Sequence, residues 1–558
     1  MKASVVAITV ALACTLLSFP VQAEVDLGQE LLAIEDDLRA WDVIAASWRT
    51  SRLRRDHPER SESWLSSARV AFHEADYPLA TRYAEQAVET ATVDEDLQQA
   101  SRFVAYLTER RELWDSFEEH RIDDFILRVT EKDRILVEPA LTTLLAAGRA
   151  MERELGYCPE RPVVVEIYPD RRSFIAASSL TREEVETSGT IAICHYNRIM
   201  VVSPGVLSRG YGWLDTLCHE YVHHCVYHIG RDAVPVWLHE GLAKVLESYW
   251  RDEPRPALDP RLASTLAEGV ERDIWVSFEQ MHPSMAKLPS GALVSLAFAE
   301  VAVAIDGLRH EPPGGGGPGS LSLRDLIDAV LIHDGDIDRA FEVTTGLRLP
   351  AFEEWTRERA GRLDLHRIPG LTTLDEEGSG REFVDEGDGV RSPEEETRSI
   401  EDRKARDFTV LGDRLKGRGH HEAAVIEYDK ALDRLGQSEP LVQNRKVLAM
   451  IQEGQLEEAR GVLEETLTHH PESAVTLDNL GEIASRLASA EEAAGRPEAA
   501  RAHRHVACRH LLMSREVNPF NPETHLRLAA LHRALGRDGE AEAWRDRLRL
   551  LLETTQER

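Results

Sequence analysis

The sequence predicts a mainly α-helical protein with one α+β domain and a carboxy-terminal solenoid of helical hairpins. Three observations carry this expectation. Short β-branched runs fall between residues 162 and 202. Apolar residues at helical spacing dominate most of the remainder. From residue 405 onward the same small and aromatic positions recur over four units, as they do where helical hairpins stack.

At 558 residues the chain is too long for a single core. Five segments are expected: 1–23, 24–131, 132–365, 366–404 and 405–558. The first reads as a secretory signal. Lys2 gives a positive start, residues 3–17 are apolar, and Val21-Gln22-Ala23 fits a small-residue cleavage site. The apolar run is short for a membrane helix, and no other stretch reads as a span. Cys14 offers a lipoprotein alternative, ranked second because Ala11 is small where that signal prefers a larger aliphatic residue. The expectation is an exported protein, periplasmic or secreted. Its net charge of −32 repels phosphate backbones and anionic headgroups, which argues against nucleic acid as a partner. Beyond the leader stand Cys158, Cys194, Cys218, Cys225 and Cys508, too few for a disulfide framework in so long a chain. Cys218 and Cys225 are expected as small buried apolar groups.

In chain order, residues 24–131 are helical in pattern, with Trp64, Ala68, Ala71, Ala75, Ala80, Ala84 and Ala87 at the spacing of a helical hairpin. Residues 139–156 predict an amphipathic helix stopped by Gly156. Strands are expected at 162–168, 190–194 and 198–202, with a helix at 171–178. Residues 257–365 are mainly helical, interrupted by a Pro/Gly loop at 311–320. Segment 366–404 is rich in Asp, Glu, Gly, Ser and Pro and predicts an acidic disordered linker. Four repeat units follow. Leu411, Gly412, Gly419, Ala424, Tyr428 and Ala431 mark the first, and Met450, Gly454, Ala459, Leu463 and Pro471 the second. Leu480, Gly481, Gly495, Ala500 and Pro519 mark the third, and Leu528, Ala529, Gly536 and Ala541 the fourth. These offsets match tetratricopeptide repeats, whose concave groove implies a protein or peptide partner.

The chemistry concentrates between residues 212 and 250. His219-Glu220-Tyr221-Val222-His223 reads H-E-x-x-H. On a helix the two histidines project from one face and can share a Zn²⁺ ion. A second helix is expected after a turn punctuated by Gly230 and Pro235. It carries Glu240 as the best third ligand, with Glu247, two turns on, as the outside choice. The x-x-G-x-x-H continuation of metzincins is excluded, because Val226 and Ile229 stand at its Gly and last His. His224, His228 and His239 lie round the helices from the metal face and read as structural or solvated.

From about residue 134 to 365 the chain resembles the gluzincin metallopeptidases, the peptidase MA-like or aminopeptidase-like group. There H-E-x-x-H is followed by a helix beginning W-L-x-E-G-x-A, matched here by Trp237-Leu238-His239-Glu240-Gly241-Leu242-Ala243. The resemblance implies a zincin-like domain with His219, His223 and Glu240 as zinc ligands and Glu220 as general base. It also implies a Tyr on a later helix to stabilise an oxyanion. Residues 293–305 contain Phe298 and no Tyr, leaving Tyr249, His239 and His282 as alternatives. Nothing like the G-A-M-E-N clamp for a free amine precedes the motif, which favours an endopeptidase over an aminopeptidase. The expected substrate is a peptide or protein, lying as an added strand along a sheet edge near residues 198–202. The rival expectation is a non-catalytic interaction scaffold built on a peptidase-like domain.

Overall fold

The computed structural model describes residues 27–178, 180–182, 185, 190–313, 321–368, 374 and 393–555. The expected leader, the Gly-rich part of the 311–320 loop and most of the expected acidic linker lie outside these residues. The chain divides into two compact units. One comprises residues up to Ala71 together with Pro78–Val104, and the other Phe72–Tyr77 with everything from Ala105 onward.

The first unit is helical. Its elements are α1 (Leu27–Arg39), α2 (Val43–Asp56), most of α3 (Ser61–His73) and α4 (Tyr77–Thr90), and the start of α5 (Asp94–Asp115). Asp42 caps α2 by accepting from the Ala45 amide at 2.9 Å. Ile34, Leu38, Val43, Ala46, Leu53 and Val70 form one apolar cluster. Ala68, Ala80, Ala84 and Ala87 are fully buried, as small residues must be where helices approach closely, and the Ser61 hydroxyl donates to the Ala87 carbonyl.

The second unit contains a five-stranded mixed sheet in the order β1-β2-β3-β5-β4. The strands are β1 (Glu118–Ile122), β2 (Phe125–Val129), β3 (Val163–Tyr168), β4 (Ala192–His195) and β5 (Arg198–Val202). β2, β3 and β5 run parallel, while β1 and β4 close the edges antiparallel. Two corrections to the sequence reading follow. Residues 118–129, which periodicity assigns to the amino-terminal helices, form a hairpin turning at Asp123, whose φ is +42°. And among the described residues the edge lies not at β5, paired on both sides, but at β4.

Strand alternation sorts the sheet into two faces. Val163, Val165, Ile167, Ile199 and Val201 join the large core, while Tyr168, Met200 and Val202 join a smaller cluster with Phe174. The fully buried Glu166 and Arg198 face each other at 3.4 Å. Glu166 also accepts from the hydroxyls of Tyr77 (2.5 Å) and Tyr168 (2.7 Å) and pairs with Arg128 at 3.2 Å. Three hydrogen bonds and the Arg198 ion pair around one carboxylate are what a buried charge requires.

Helix α6 (Val137–Leu155), stopped by left-handed Gly156, joins β2 to β3, and α7 (Arg171–Ala177) follows β3. Then come α8 (Trp213–Gly230), α9 (Val236–Leu246), α10 (Pro260–Arg272), α11 (Gly291–His310), α12 (Leu323–Ile332), α13 (Ile337–Thr345) and α14 (Leu349–Ala360). Helix α11 is long and apolar enough to cross a membrane by length and composition, contrary to the expectation that no stretch beyond the leader reads as a span. Here it packs against α9, α10 and α14 with most of its length buried. Trp237 stacks on Phe278 at 4.0 Å and lies within 5.5 Å of Phe341, an aromatic knot at the start of α9.

The end of the expected linker carries a short helix, α15 (Pro393–Arg398). Beyond it, eight helices form four successive hairpins. They are α16 (Arg403–Gly417) with α17 (His421–Leu435), α18 (Pro440–Gln452) with α19 (Leu456–His469), α20 (Ala474–Ala493) with α21 (Pro497–Val517), and α22 (Pro522–Ala534) with α23 (Asp538–Thr555). Gly419, Gly454, Gly495 and Gly536 all have φ between +71° and +79°. The next residue in each case donates its amide to a carbonyl five residues back, so one turn geometry is repeated four times. Gly412 and Gly481 let Tyr428 and Leu511 of the paired helix close in, because a Cβ at either would stand under 3 Å from that side chain.

Candidate metal centre

Helix α8 forms because thirteen of its residues find burial, among them Leu214, Leu217, Tyr221, Val222 and Val226 against the sheet and α6. That burial turns His219 and His223 toward α9. The chain between the helices is set by Gly230, though not as the sequence reading expects. Gly230 is helical with φ −101°, and the left-handed residue is Arg231 at +54°. Glycine is needed at 230 because a Cβ would stand 2.3 Å from Val234 Cγ2 and 2.9 Å from Ile327 Cγ2. Pro235 occupies the N-cap of α9, one residue before its first turn.

The three expected ligands converge. Nε2 of His219 and Nε2 of His223 each lie 3.5 Å from Oε2 of Glu240, and one donor atom from each residue falls within 4.8 Å of the others. The side chains are 14%, 16% and 23% exposed, so the cluster is recessed yet reachable from solvent. Two imidazoles and a carboxylate in this spacing are the donor set that Zn²⁺ prefers, with a position left over. The residues fit the ion.

Glu247, the outside choice for a ligand, does something else. Its Oε2 meets Nδ1 of His219 at 3.0 Å, while its Oε1 accepts from Lys244 Nζ at 2.6 Å. A carboxylate on Nδ1 fixes the ring's tautomer and turns Nε2 toward the cluster. Burial opposes protonation of His219, but hydrogen bonds to Glu240 and Glu247 outweigh it and raise its pKa to about 10. Burial likewise opposes ionisation of Glu240, and the two histidines overcome it, holding the carboxyl well below its usual range.

Glu220 faces away from this trio's hydrogen bonds and toward the sheet. It is 7% exposed and accepts from the backbone amide of Cys194 in edge strand β4. Burial raises its pKa, with His223 and His219 opposing and Glu240 reinforcing the shift. The edge strand thus runs beside the expected general base.

Of the three alternatives for an oxyanion partner, His239 is the one brought next to a ligand, its Nδ1 3.4 Å from Nδ1 of His223. Tyr249 lies under the Arg309 guanidinium and His282 is exposed. The Phe298 ring stands 6.5 Å from that of His219. His224 is buried with its Nε2 3.4 Å from the Tyr157 hydroxyl, and His228 pairs with Asn197. Cys218 and Cys225 are buried free thiols, their pKa raised by burial. The contacts of Glu247 and β4 were missed from sequence. The only signal for the first is the seven-residue spacing from Glu240, two helical turns.

No family model matches the sequence, and no curated protein matches it.

Proposed function

We propose that this chain is an exported zinc-dependent peptidase of gluzincin type, an endopeptidase rather than an aminopeptidase. The observation that carries the reading is the convergence of His219, His223 and Glu240 beside a buried Glu220. Those three residues would hold the metal. Bound zinc supplies Lewis acidity, which polarises a carbonyl and makes water nucleophilic near neutral pH. Glu220 accepts the proton of the attacking water and returns it to the leaving amine. Glu247 keeps His219 in the ligating tautomer. The open edge of β4 offers main-chain hydrogen bonds to an extended peptide laid past Glu220, which orients the scissile bond. The four carboxy-terminal hairpins read as tetratricopeptide repeats with a groove for a protein partner or substrate.

A second reading, a scaffold without turnover, is favoured by Phe298, an unreactive ring near His219 where the resemblance calls for Tyr. Zinc content per chain and cleavage of casein, for wild type and Glu220→Gln, separate the two. A peptidase binds one zinc per chain and loses cleavage by at least about a hundredfold in the variant. Stoichiometric zinc with no cleavage by either protein supports the scaffold. Cleavage that survives Glu220→Gln refutes the role given to that residue.

A further inference from the structure

The carboxy-terminal hairpins do not hang from the rest of their unit; they close on the chain leading into α8. The Tyr211 amide donates to the Val517 carbonyl at 3.2 Å, and Asn518 Nδ2 donates to the Ser208 carbonyl at 3.3 Å. Gly210 and Gly212 make this possible. A Cβ on Gly210 would stand 2.1 Å from Val517 O, and one on Gly212 would stand 2.4 Å from both carboxylate oxygens of Glu472. The Glu472 carboxylate therefore lies against the N-cap of α8, where the helix dipole favours an anion.

An ionic chain begins at the same place. Asp215, in the first turn of α8 and 8% exposed, accepts from Trp250 Nε1 (2.6 Å), Arg251 Nε (3.1 Å) and Arg255 Nη1 (3.0 Å). The two guanidiniums are in turn held by the hairpins, Arg251 by Glu516 at 2.9 Å and Arg255 by Glu472 at 2.7 Å. Asp215 is one helical turn before His219 and on the same side of α8. Glu472 also lies within electrostatic reach of Lys244, which grips the Glu247 that orients His219. Two routes thus connect one carboxylate of the hairpins to one imidazole of the centre.

We propose that the carboxy-terminal hairpins are a positioning element of the metal centre, with Glu472 and Glu516 holding the first turn of α8 through Arg255, Arg251 and Asp215. Both are positioning residues, since neither touches a ligand. The inference rests on the metal reading only for its effect on zinc. Its effect on α8 stands without it.

The test uses the full chain with Glu472→Gln, Glu516→Gln and the double variant, isosteric changes that remove charge and leave packing intact. Leu463→Val, within the core of the hairpins, serves as a control that loosens them but keeps both carboxylates. Amide exchange over residues 214–222 and zinc affinity against a chromophoric chelator are the readouts. The expected result is about tenfold faster exchange and about tenfold weaker zinc binding in the double variant, an intermediate effect in each single one, and wild-type behaviour in the control. Wild-type exchange in the double variant overturns the proposal, as does a control that does equal damage. A wild type that binds no zinc overturns the metal reading, and the exchange comparison then decides the coupling by itself.

Discussion

Replacing Gly241 by Ala tests how Glu240 is placed. Gly241 follows the third donor directly, at the crossing of α9 and α11. A methyl there would stand 2.6 Å from Ile305 Cγ1, 3.1 Å from the Val301 carbonyl oxygen and 3.3 Å from Val301 Cβ. One of these neighbours is backbone and Ile305 is fully buried, so a rotamer change does not relieve the clash. Ordinary contact begins at 3.4 Å, and the helices must part by roughly 0.8 Å to restore it. Two effects of opposite sign compete. Ala is favoured over Gly within a helix by about 1 kcal/mol. Overpacking a filled core costs about 1–3 kcal/mol. The second prevails, for a net loss of about 1 kcal/mol, which in a unit of several hundred residues lowers the melting temperature by about 1 °C. Metal sites tolerate ligand displacements of only about 0.2 Å, so the larger effect falls on binding. Zinc affinity should drop about tenfold, a penalty of about 1.4 kcal/mol on the loaded state. Differential scanning calorimetry and chelator competition measure the two quantities. If Gly241→Ala melts higher than wild type and binds zinc equally well, the helix crossing does not set the position of Glu240.

Glu247→Gln should weaken zinc binding about tenfold and Glu247→Leu up to about a hundredfold, in line with loss of the partner that orients a ligating imidazole. Equal affinity in all three proteins would remove Glu247 from the site. Arg198→Met leaves the buried Glu166 with Arg128 as its cationic partner among the described residues, and should cost about 3–5 kcal/mol in urea unfolding. A loss under about 1 kcal/mol would mean that Arg128 and the two hydroxyls suffice. Burial, with neighbouring cationic groups also lowering them, holds His195 and His470 at about 4. In the unfolded chain histidine takes its proton near 6.5, so the unfolded state binds more protons between about pH 6.5 and 4. Stability should therefore fall over that window by about 1.4 kcal/mol per pH unit for each such group, and level off below it. His470→Gln should make the fall shallower, and an unchanged slope in urea titrations would exclude His470 as a source.

The cluster of His219, His223 and Glu240 was legible because it is local chemistry. Four residues on a helix give one face, and a short turn brings Glu240 opposite. The repeats were legible because their turn glycines recur at fixed offsets. The hairpin at 118–129 was not. Its turn, Asp123-Asp124, lacks the Asn-Gly or Asp-Gly signal that marks two-residue loops, and Phe-Ile-Leu-Arg-Val also suits a buried helix segment. Gly230 serves a close approach and not the expected left-handed turn, two properties that demand the same residue and look alike in sequence. Sheet order was out of reach as well. Short strands such as Ala192–His195 do not declare whether they lie at an edge. The ion pairs from Arg251 and Arg255 to residues more than two hundred positions away leave no local trace.

Helix α11 has a carboxyl near its midpoint. Glu300 is fully buried, its pKa pushed well up by burial, and it accepts from the Val276 amide at 3.0 Å. In the folded protein that is a modest gain for an expensive group. On the export proposed above, the same side chain has another consequence during passage across a bilayer. A twenty-residue apolar stretch invites lateral escape into lipid, and an acidic group near its centre opposes this by about 3 kcal/mol. On that proposal Glu300 would guard the unfolded chain against being stranded part-way, and Glu300→Leu would show a larger membrane-bound fraction.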